Sequence, residues 1–541
     1  MDNRLSAASA AVLADRSRWR RLLALTAMLT LTYGGIAMLS DRFRYETNPA
    51  DRPVGKFFVL MTAAFVLHLF ALRTAISVRG RTTVARFVLG TGLLFRLLLL
   101  PTHPILEVDI YRYMWDGLVT SSGGNPYEFS PAEVRGVHAG DAEADDIRLK
   151  HLVLLRDSAK ANEIILSRIH FGHLTTIYPP VSQVVFATAA AVSPQSATVY
   201  ERLVVTKAAI VLFDVLTMLA LQQLLRQFRK PPGWLICYAW SPLVLKEFAN
   251  SGHLNAISIG LAVWSVVLWL SGIRRRSITR LLCAAVLLGL GIGAKLFPVV
   301  LAPVIAVSVA KRFDQRVFVA NAGLLLLVTG AAMWPMLQTE TRQPDTADTD
   351  SEPAEEGLST FLTSWKINDF FFLLIEENLT PKSRAWFSVV PQAFRPAKDA
   401  ESAFLAARSL TTLLSVAVIG FLAWQARHAG TKRLAELSFL SIAWFWLLLP
   451  TMNPWYWTWA MPLLPFVRVR SWLLLSGCVS IYYLRFLLVW LPVELPVAGH
   501  RYDGADVFRY IVVWVEYLPW LVVLACEYRR RRTPRRGRTL A

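Results

Sequence analysis

The chain has 541 residues, 55% of them hydrophobic, and a mean hydropathy of +0.42. This composition excludes an ordinary soluble globular protein and is typical of a protein with many membrane spans. The formal net charge of +19 raises the alternative of nucleic-acid binding. However, the basic residues lie mostly in short connections between apolar runs, which is the pattern of cytoplasmic loops in membrane proteins. We therefore expect a lipid bilayer and no nucleic acid as partner.

Apolar runs that approach the ~20 residues needed to cross hydrocarbon recur along the chain and predict about 14 transmembrane helices. The first follows the basic segment "MDNRLSAASAAVLADRSRWRR" and is expected to remain uncleaved. The predicted spans lie near 22–40, 56–74, 84–101, 203–225, 233–250, 254–271, 279–294, 296–310, 317–337, 405–425, 435–450, 455–468, 471–491 and 508–528. The sequence thus predicts an all-α polytopic membrane protein, with residues 1–541 as a single integral-membrane domain.

One short run decides the topology. "PVSQVVFATAAAVS", Pro180 to Ser193, is too short for an ordinary span and suits a re-entrant or interfacial segment. If it crossed the membrane, every later basic cluster would change sides. With it left out, all basic clusters share one side, and both termini are predicted to be cytoplasmic.

This topology gives two large exterior loops that contain interfacial helices. The first covers 102–202. The second covers 338–404, starts with the acidic, low-complexity stretch "TETRQPDTADTDSEPAEEG", which we expect to be partly disordered, and continues with an aromatic stretch that predicts an interfacial helix.

Polar residues from distant parts of the chain meet at the predicted exterior face, as a binding or active site requires. They lie in the segment after the third span, in the end of the first loop and in three span connections. They are Glu107, Asp109, Arg112 and Tyr113, then Tyr178 of "HLTTIYPP", His253 and Asn255 of "NSGHLNAI", Lys295 of "GAKLFP", and Asn453 and Tyr456 of "PTMNPWYW".

Each of these signals has a structural alternative. Glu107 and Asp109 also suit a helix cap, and His253 also suits an ordinary interfacial histidine. Lys295 also suits a cation that snorkels to the surface. For Tyr111, Tyr113 and Trp115 an aromatic belt at the membrane interface is the favoured interpretation.

Two further charges lie inside a predicted span. Lys207 precedes Asp214 by seven residues on the span 203–225. We interpret them as one structural ion pair.

The segments "EVDIYRYMWDG", "GGNPYEFSP", "YPP", "SPLVLKEFANSGHLNA", "GAKLFPVVLAP" and "NPWYWTWAMPLL" follow one another within 84–470. In this order the chain resembles the glycosyltransferase C superfamily, most closely the bacterial polyprenyl-phosphate-mannose-dependent mannosyltransferases. The resemblance implies a hexosyltransferase of the bacterial inner (plasma) membrane, with its active site at the exterior, periplasmic face. It also implies a polyprenyl-phosphate sugar donor and inversion at the anomeric carbon.

The resemblance further implies that an acid of the first exterior loop is the general base, and Asp109 matches it best, with Glu107 second. The "YPP" and "GAKLFP" positions resemble those that line the donor phosphate. The family often has an acid after the histidine of its "GH" motif, whereas this chain has Leu254 and Asn255.

The residue types suit this chemistry. A carboxylate accepts the proton of the attacking hydroxyl, and Lys295, His253 and Arg112 are cations or donors for the leaving phosphate. We expect no cofactor beyond the lipid-phosphate sugar as co-substrate. No residue is assigned as a metal ligand, and metal dependence stays open, because no cluster has ligand spacing. The acceptor stays open between a glycolipid, a lipid-linked glycan, a polysaccharide and a protein.

Three other interpretations remain. Charges inside spans and broken helices also suit a transporter or a flippase of lipid-linked sugars. The chain shows no inverted repeat, and its first exterior loop is long for a transporter. The second alternative is a scaffold protein. The third is an oligosaccharide ligase that uses a lipid diphosphate.

Overall fold

A computed structural model describes residues 2–137, 146–337 and 365–532 of the chain. Helices account for 75% of it. The strands named in the described part form one hairpin, Leu495–Val497 paired antiparallel with His500–Tyr502. The prediction of an all-α membrane protein is confirmed at this level, because nine described helices are long and apolar enough to cross a membrane.

The first part of the chain contains long helices on both sides of a group of short ones. Their bounds are α1 Asp2–Leu39, α2 Val54–Ser77, α3 Arg81–Leu99, α4 Asp109–Ser121, α5 Pro131–Gly136, α6 Ile147–Asp157, α7 Lys160–Ser167, α8 Pro180–Val192 and α9 Val199–Gln227. Single 3₁₀ turns, Ser40–Phe43 and Pro49–Asp51, connect α1 to α2.

The middle of the chain begins with a broken segment and continues as longer helices. It comprises a 3₁₀ turn Pro232–Leu235, α10 Ile236–Ala239, α11 Pro242–Val244, a π-helical turn Leu245–Asn250, α12 Asn255–Arg275, α13 Ile278–Ala294, a 3₁₀ turn Phe297–Leu301, α14 Ala302–Ala310 and α15 Gln315–Leu337.

The last part follows the residues that are not described. Its helices are Phe371–Leu379, Ala400–Ala426, Thr431–Leu447, Pro454–Trp457, Ser471–Cys478, Arg485–Leu488, Gly504–Val507 and Val513–Arg532, with 3₁₀ turns at Gln392–Phe394, Met461–Phe466 and Val479–Leu484 and a π-helical turn at Phe508–Val512.

Nine of the predicted spans coincide with these nine candidate spans. The other five are shorter or broken: α13 and Thr431–Leu447 have 17 residues each, which is ~26 Å of helix against ~30 Å of hydrocarbon. The predicted spans 233–250, 296–310 and 455–468 consist of several helical turns each. That these five cross the membrane stays a prediction.

In the described part of the predicted first loop, 102–202, the chain forms α4 to α8. Its α4 and α8 pack closely at Gly117, where a Cβ atom would lie 2.4 Å from the carbonyl oxygen of Phe186. In the predicted second loop, 338–404, the helix Phe371–Leu379 occupies the aromatic stretch. The acidic stretch that we expected to be disordered, 339–357, lies outside the described residues.

The predicted ion pair between Lys207 and Asp214 is wrong. Asp214 instead forms a two-hydrogen-bond salt bridge with Arg96 of α3, at 2.6 and 2.9 Å. Lys207 donates to the carbonyl oxygens of Leu99 and Thr102, at 3.3 and 2.7 Å. Seven residues along a helix correspond to ~10 Å of rise, so both charges lie on one face but too far apart to pair.

Candidate functional site

The site starts at the amino end of α4. No side chain caps this helix at Val108, and the Glu107 carboxylate takes that role one residue earlier. Glu107 Oε1 accepts hydrogen bonds from the backbone N–H groups of Val108 and Asp109, both at 2.9 Å. Asp109 is the first residue of the helix, where the helix dipole favours a negative charge.

A broken segment brings His253 to the same place. Prolines at 231, 232 and 242 interrupt a regular helix, and the segment ends in the π-helical turn Leu245–Asn250. Gly252 then turns the chain with φ +71°, a conformation that glycine adopts without strain. A Cβ atom at Gly252 would lie 2.8 Å from Ile110, so glycine also permits the close approach to α4.

His253 lies inside a chain of ionisable groups. Its Nε2 is 2.9 Å from Glu107 Oε2 and 3.3 Å from Glu247 Oε2. The Lys246 ammonium is 3.2 Å from the Glu247 carboxylate, and the Tyr483 hydroxyl donates to Glu247 as well. We call Lys246, Glu247, His253 and Glu107 the ion-pair chain. It is buried, since Lys246, Glu247 and His253 are at most 2% exposed.

The electrostatics of the two predicted acids differ. Burial opposes ionisation of Glu107, but its contact with His253 and the nearby Lys246 charge outweigh this and hold the pKa well below its usual value. Burial and the Glu107 carboxylate together raise the pKa of Asp109 to about 7, although His253, Lys295 and a hydrogen bond with Tyr178 act in the opposite direction. Glu107 is therefore a fixed anion, whereas Asp109 exchanges its proton near neutral pH.

Lys295 supplies the cation beside Asp109. It lies directly after α13, and its Nζ is 4.5 Å from the centroid of the Tyr456 ring, a cation–π distance. Burial lowers the pKa of Lys295 to about 8, while the charges of Asp109 and Glu107 act in the opposite direction.

The "NPWYW" segment packs against His253. The Trp455 ring stacks on the His253 imidazole with centroids 4.7 Å apart. Asn255 holds this segment in place, because its Nδ2 donates a hydrogen bond to the Trp455 carbonyl oxygen at 2.9 Å. Asn453 lies directly before the helix Pro454–Trp457 and is buried. The contacts make Asn255 a positioning residue rather than a group that faces a ligand.

Arg112 holds α4 to the end of the first loop. Its guanidinium forms a salt bridge with Asp116 at 3.0 Å and donates to the Leu174 carbonyl oxygen at 3.0 and 3.1 Å. Asp116 also accepts hydrogen bonds from Thr176 and Gln183, at 2.5 and 3.2 Å. The loop that carries Tyr178 is thus fixed by a buried network, and Arg112 is already neutralised.

The aromatic residues of α4 face protein. Tyr111, Tyr113 and Trp115 are all at most 5% exposed. Tyr113 stacks on Phe186 with centroids 4.7 Å apart and lies edge-on to Tyr178 at 4.9 Å. The aromatic-belt interpretation of these three residues is therefore wrong, because a belt would place them against lipid headgroups.

A narrow cleft leads from the surface to Asp109. Residues of α4, of the end of the first loop and of the second loop line it: Val108, Asp109, Arg112, His170, Phe171, Leu174, Thr175, Thr176, Ile177, Tyr178 and Trp365. Asp109 is the acid of the cluster that this cleft reaches, since Glu107 is not part of the lining.

Sequence reasoning missed four residues of this arrangement: Lys246, Glu247, Asp116 and Tyr483. Two signals were present. Lys246 and Glu247 are adjacent charges inside a predicted span, which is expensive unless they are paired. Asp116 follows Arg112 by four residues, the spacing of an ion pair on one helix face. Nothing in the sequence connects Tyr483 with Glu247, 236 residues away.

Three ligand atoms, one each from Glu107, Asp109 and His253, lie within 4.8 Å of one another. Two carboxylates and an imidazole suit a divalent cation by donor type. The salt bridge between Glu107 and His253 and the neighbouring Lys246 and Lys295 explain the same proximity without an ion, and we assign no metal.

No family model, no curated protein and no solved structure matches the chain. Its fold is that of an all-α integral membrane protein. What the protein does must therefore be argued from the cleft and the ionisable groups around Asp109.

Proposed function

We propose that the protein is a membrane glycosyltransferase that moves a sugar from a polyprenyl-phosphate donor to an acceptor, with Asp109 as the general base. The observation that carries the proposal is the difference between the two acids. Asp109 is accessible from a cleft and has a pKa near neutrality, whereas Glu107 is fixed in a salt bridge. A general base works best with a pKa close to the working pH.

In the proposed reaction the hydroxyl oxygen of the acceptor attacks the anomeric carbon and forms the new glycosidic bond. The bond between that carbon and the phosphate oxygen breaks, and its electron pair leaves with the polyprenyl phosphate. Asp109 takes the hydroxyl proton. Attack and departure on opposite faces invert the anomeric configuration. Mannose is the sugar that the sequence resemblance favours.

The cations around Asp109 have separate roles. Lys295 neutralises charge that develops on the leaving phosphate, which stabilises the transition state in a site with little water. The ion-pair chain keeps Glu107 charged, and its negative charge in turn raises the pKa of Asp109. Glu107, Glu247 and His253 act on the reaction through Asp109 and are positioning residues in this scheme.

The proposal includes a place for the reaction. The bilayer supplies the lipid donor, and the predicted topology puts the cleft at the exterior face of a bacterial inner membrane. A flippase or transporter of lipid-linked sugars is the alternative. Two of the charges that suit this alternative, Lys207 and Asp214, already have partners within the protein.

The test uses the purified full-length protein in proteoliposomes with a radiolabelled polyprenyl-phosphate mannose and an extract of envelope glycans and glycolipids. We expect label to move from lipid to acceptor and polyprenyl phosphate to be released. Movement of intact donor between leaflets without cleavage would replace the transferase proposal with the flippase alternative.

A further inference from the structure

The mouth of the cleft contains an unusually placed aromatic side chain. Phe171 has φ +52°, a left-handed conformation that is uncommon for a bulky residue, and its side chain is 45% exposed. Such a conformation is strained and persists only where the surrounding structure holds it. Residues in strained conformations are frequent at binding and catalytic sites.

Hydrogen bonds fix this conformation. The Leu174 N–H donates to the Phe171 carbonyl oxygen at 3.2 Å, and the Ala132 N–H donates to the Gly172 carbonyl oxygen at 2.8 Å. The second bond ties the loop to α5. Phe171 is therefore presented at the mouth of the cleft by a preformed loop.

A second aromatic residue, from the predicted second exterior loop, lies at the same place. The Trp365 ring centroid lies 4.9 Å from that of Phe171, with an angle of 53° between the rings. The segment after Trp365 is anchored, because Ile367 exchanges backbone hydrogen bonds with Pro450 and Met452 at 2.9 and 3.0 Å. Met452 directly precedes Asn453 of the "NPWYW" segment, so the position of Trp365 is coupled to the site.

The remaining lining mixes apolar and polar residues and carries little uncompensated charge. Arg112 is paired with Asp116, which leaves Asp109 at the inner end as the one charged lining residue without a salt bridge among those described. The His170 imidazole offers hydrogen-bonding groups beside Phe171, since the centroids of these two rings are 4.1 Å apart. Lys295 and Tyr456, which lie in contact with each other, are not among the residues that line this cleft.

We propose that Phe171 and Trp365 form an aromatic platform that binds a pyranose ring of a neutral glycan acceptor and directs its hydroxyl to Asp109. This inference rests on the proposed function and assigns the acceptor to the glycans. A sugar ring has a face of C–H groups, which suits the electron-rich face of an aromatic ring, and a rim of hydroxyls that needs hydrogen-bonding partners. The two rings and the polar lining supply both.

Direct binding tests the platform without any need for turnover. Saturation-transfer NMR and calorimetry would measure the affinity of the full-length protein in nanodiscs for a neutral mannose oligosaccharide. We expect Phe171→Ala and Trp365→Ala each to weaken binding at least about tenfold, and Trp365→Phe to restore most of it because a ring is present again. Phe394→Ala, which removes an aromatic ring 77% exposed on the same second loop, is the matched control and should not change binding.

The outcomes separate this inference from the proposed function. Wild-type affinity in both alanine variants, or binding lost equally in Phe394→Ala, overturns the platform even if wild-type protein transfers sugar. Platform-dependent binding in a protein that never cleaves the donor keeps the platform and overturns the transferase. Absence of oligosaccharide binding together with transfer to a lipid or protein acceptor also overturns the platform. Thermal melting of each variant shows whether it is folded.

Discussion

Two groups of buried charges in this protein have similar composition and different surroundings. Within the bundle, Arg96 and Asp214 form a two-hydrogen-bond salt bridge, both side chains are fully buried, and Arg96 also donates to the Gly92 and Ala239 carbonyl oxygens. At the amino end of α4, the ion-pair chain is also largely buried, but it ends beside Asp109, which lines the narrow cleft.

The two groups show that burial alone does not identify a functional charge in a membrane protein. A charge inside a span is expensive and is a functional candidate by default. The Arg96 and Asp214 side chains are fully buried and hydrogen-bond to each other, so we assign the pair a structural role in the bundle. Each member of the ion-pair chain has an oppositely charged neighbour, whereas Asp109, which lines the cleft, has no salt bridge among the described residues. Access from a cleft and the lack of a salt bridge, rather than charge alone, distinguish a candidate site from a structural ion pair.

The largest effect on function is expected from Asp109→Asn. Loss of the base should lower the rate of sugar transfer by about 10²–10⁴-fold, the usual contribution of general base catalysis. The side chains have the same shape, so insertion and thermal stability should remain close to wild type. Transfer of label from the lipid donor measures the rate.

Asp51→Asn serves as the control, because Asp51 is exposed in the connection between α1 and α2. Wild-type transfer by the Asp109 variant would remove Asp109 from the role of base, and Glu107 would become the next acid to test.

The structural pair should show the opposite behaviour. Arg96→Met leaves Asp214 buried without a partner, and we expect a loss of about 3–5 kcal/mol in the free energy of unfolding. Sugar transfer per folded molecule should stay unchanged. Reversible unfolding in mixed micelles measures the stability.

Arg44→Met is the matched control, because it removes one partner of an exposed pair with Asp41, and such pairs contribute less than about 1 kcal/mol. The double variant Arg96→Met with Asp214→Leu should regain much of the lost stability. An Arg96 variant that is stable but inactive would show that the two groups of charges do not differ as we describe.

The sequence alone was sufficient for part of this comparison. Long apolar runs predicted the nine long helices, because a span needs an uninterrupted hydrophobic stretch, which is recognisable in the local sequence. Asp109, His253 and Lys295 were found because each interrupts the apolar pattern at a predicted boundary. The ion pairs were not, because pairing depends on which helices are neighbours. Arg96 and Asp214 are 118 residues apart in the chain, and the local alternative Lys207 was chosen in error. Glu247 was hidden in the same way inside a segment interpreted as a simple span.

A smaller effect is expected from Glu247→Gln. The change removes one of the carboxylates that contact His253, and a hydrogen bond to a charged group contributes about 1.5–3 kcal/mol. If about that amount is lost in the transition state, the transfer rate falls by about tenfold to a hundredfold. Steady-state kinetics should show the loss in kcat, with little change in KM for the donor.

The double variant Lys246→Met with Glu247→Gln controls for the unpaired Lys246 ammonium. A Glu247→Gln enzyme that is folded and as active as wild type would mean that the ion-pair chain does not act on the reaction.

The smallest expected effect is the dependence of the transfer rate on pH, which involves both Asp109 and Lys295. Burial and the neighbouring Glu107 raise the pKa of Asp109 to about 7, so below that pH the carboxyl is protonated and cannot accept the hydroxyl proton. Burial lowers the pKa of Lys295 to about 8, so above that pH the ammonium loses the charge that stabilises the phosphate. The rate of transfer should therefore follow a bell-shaped profile with a narrow maximum between these values and a fall of a few-fold within one pH unit on either side.

Lys295→Arg should extend the alkaline limb, because a guanidinium stays protonated, and should leave the acid limb in place. A wild-type profile that stays flat from pH 6 to pH 9 would contradict both assignments, and an alkaline limb that persists in the arginine variant would contradict the one for Lys295.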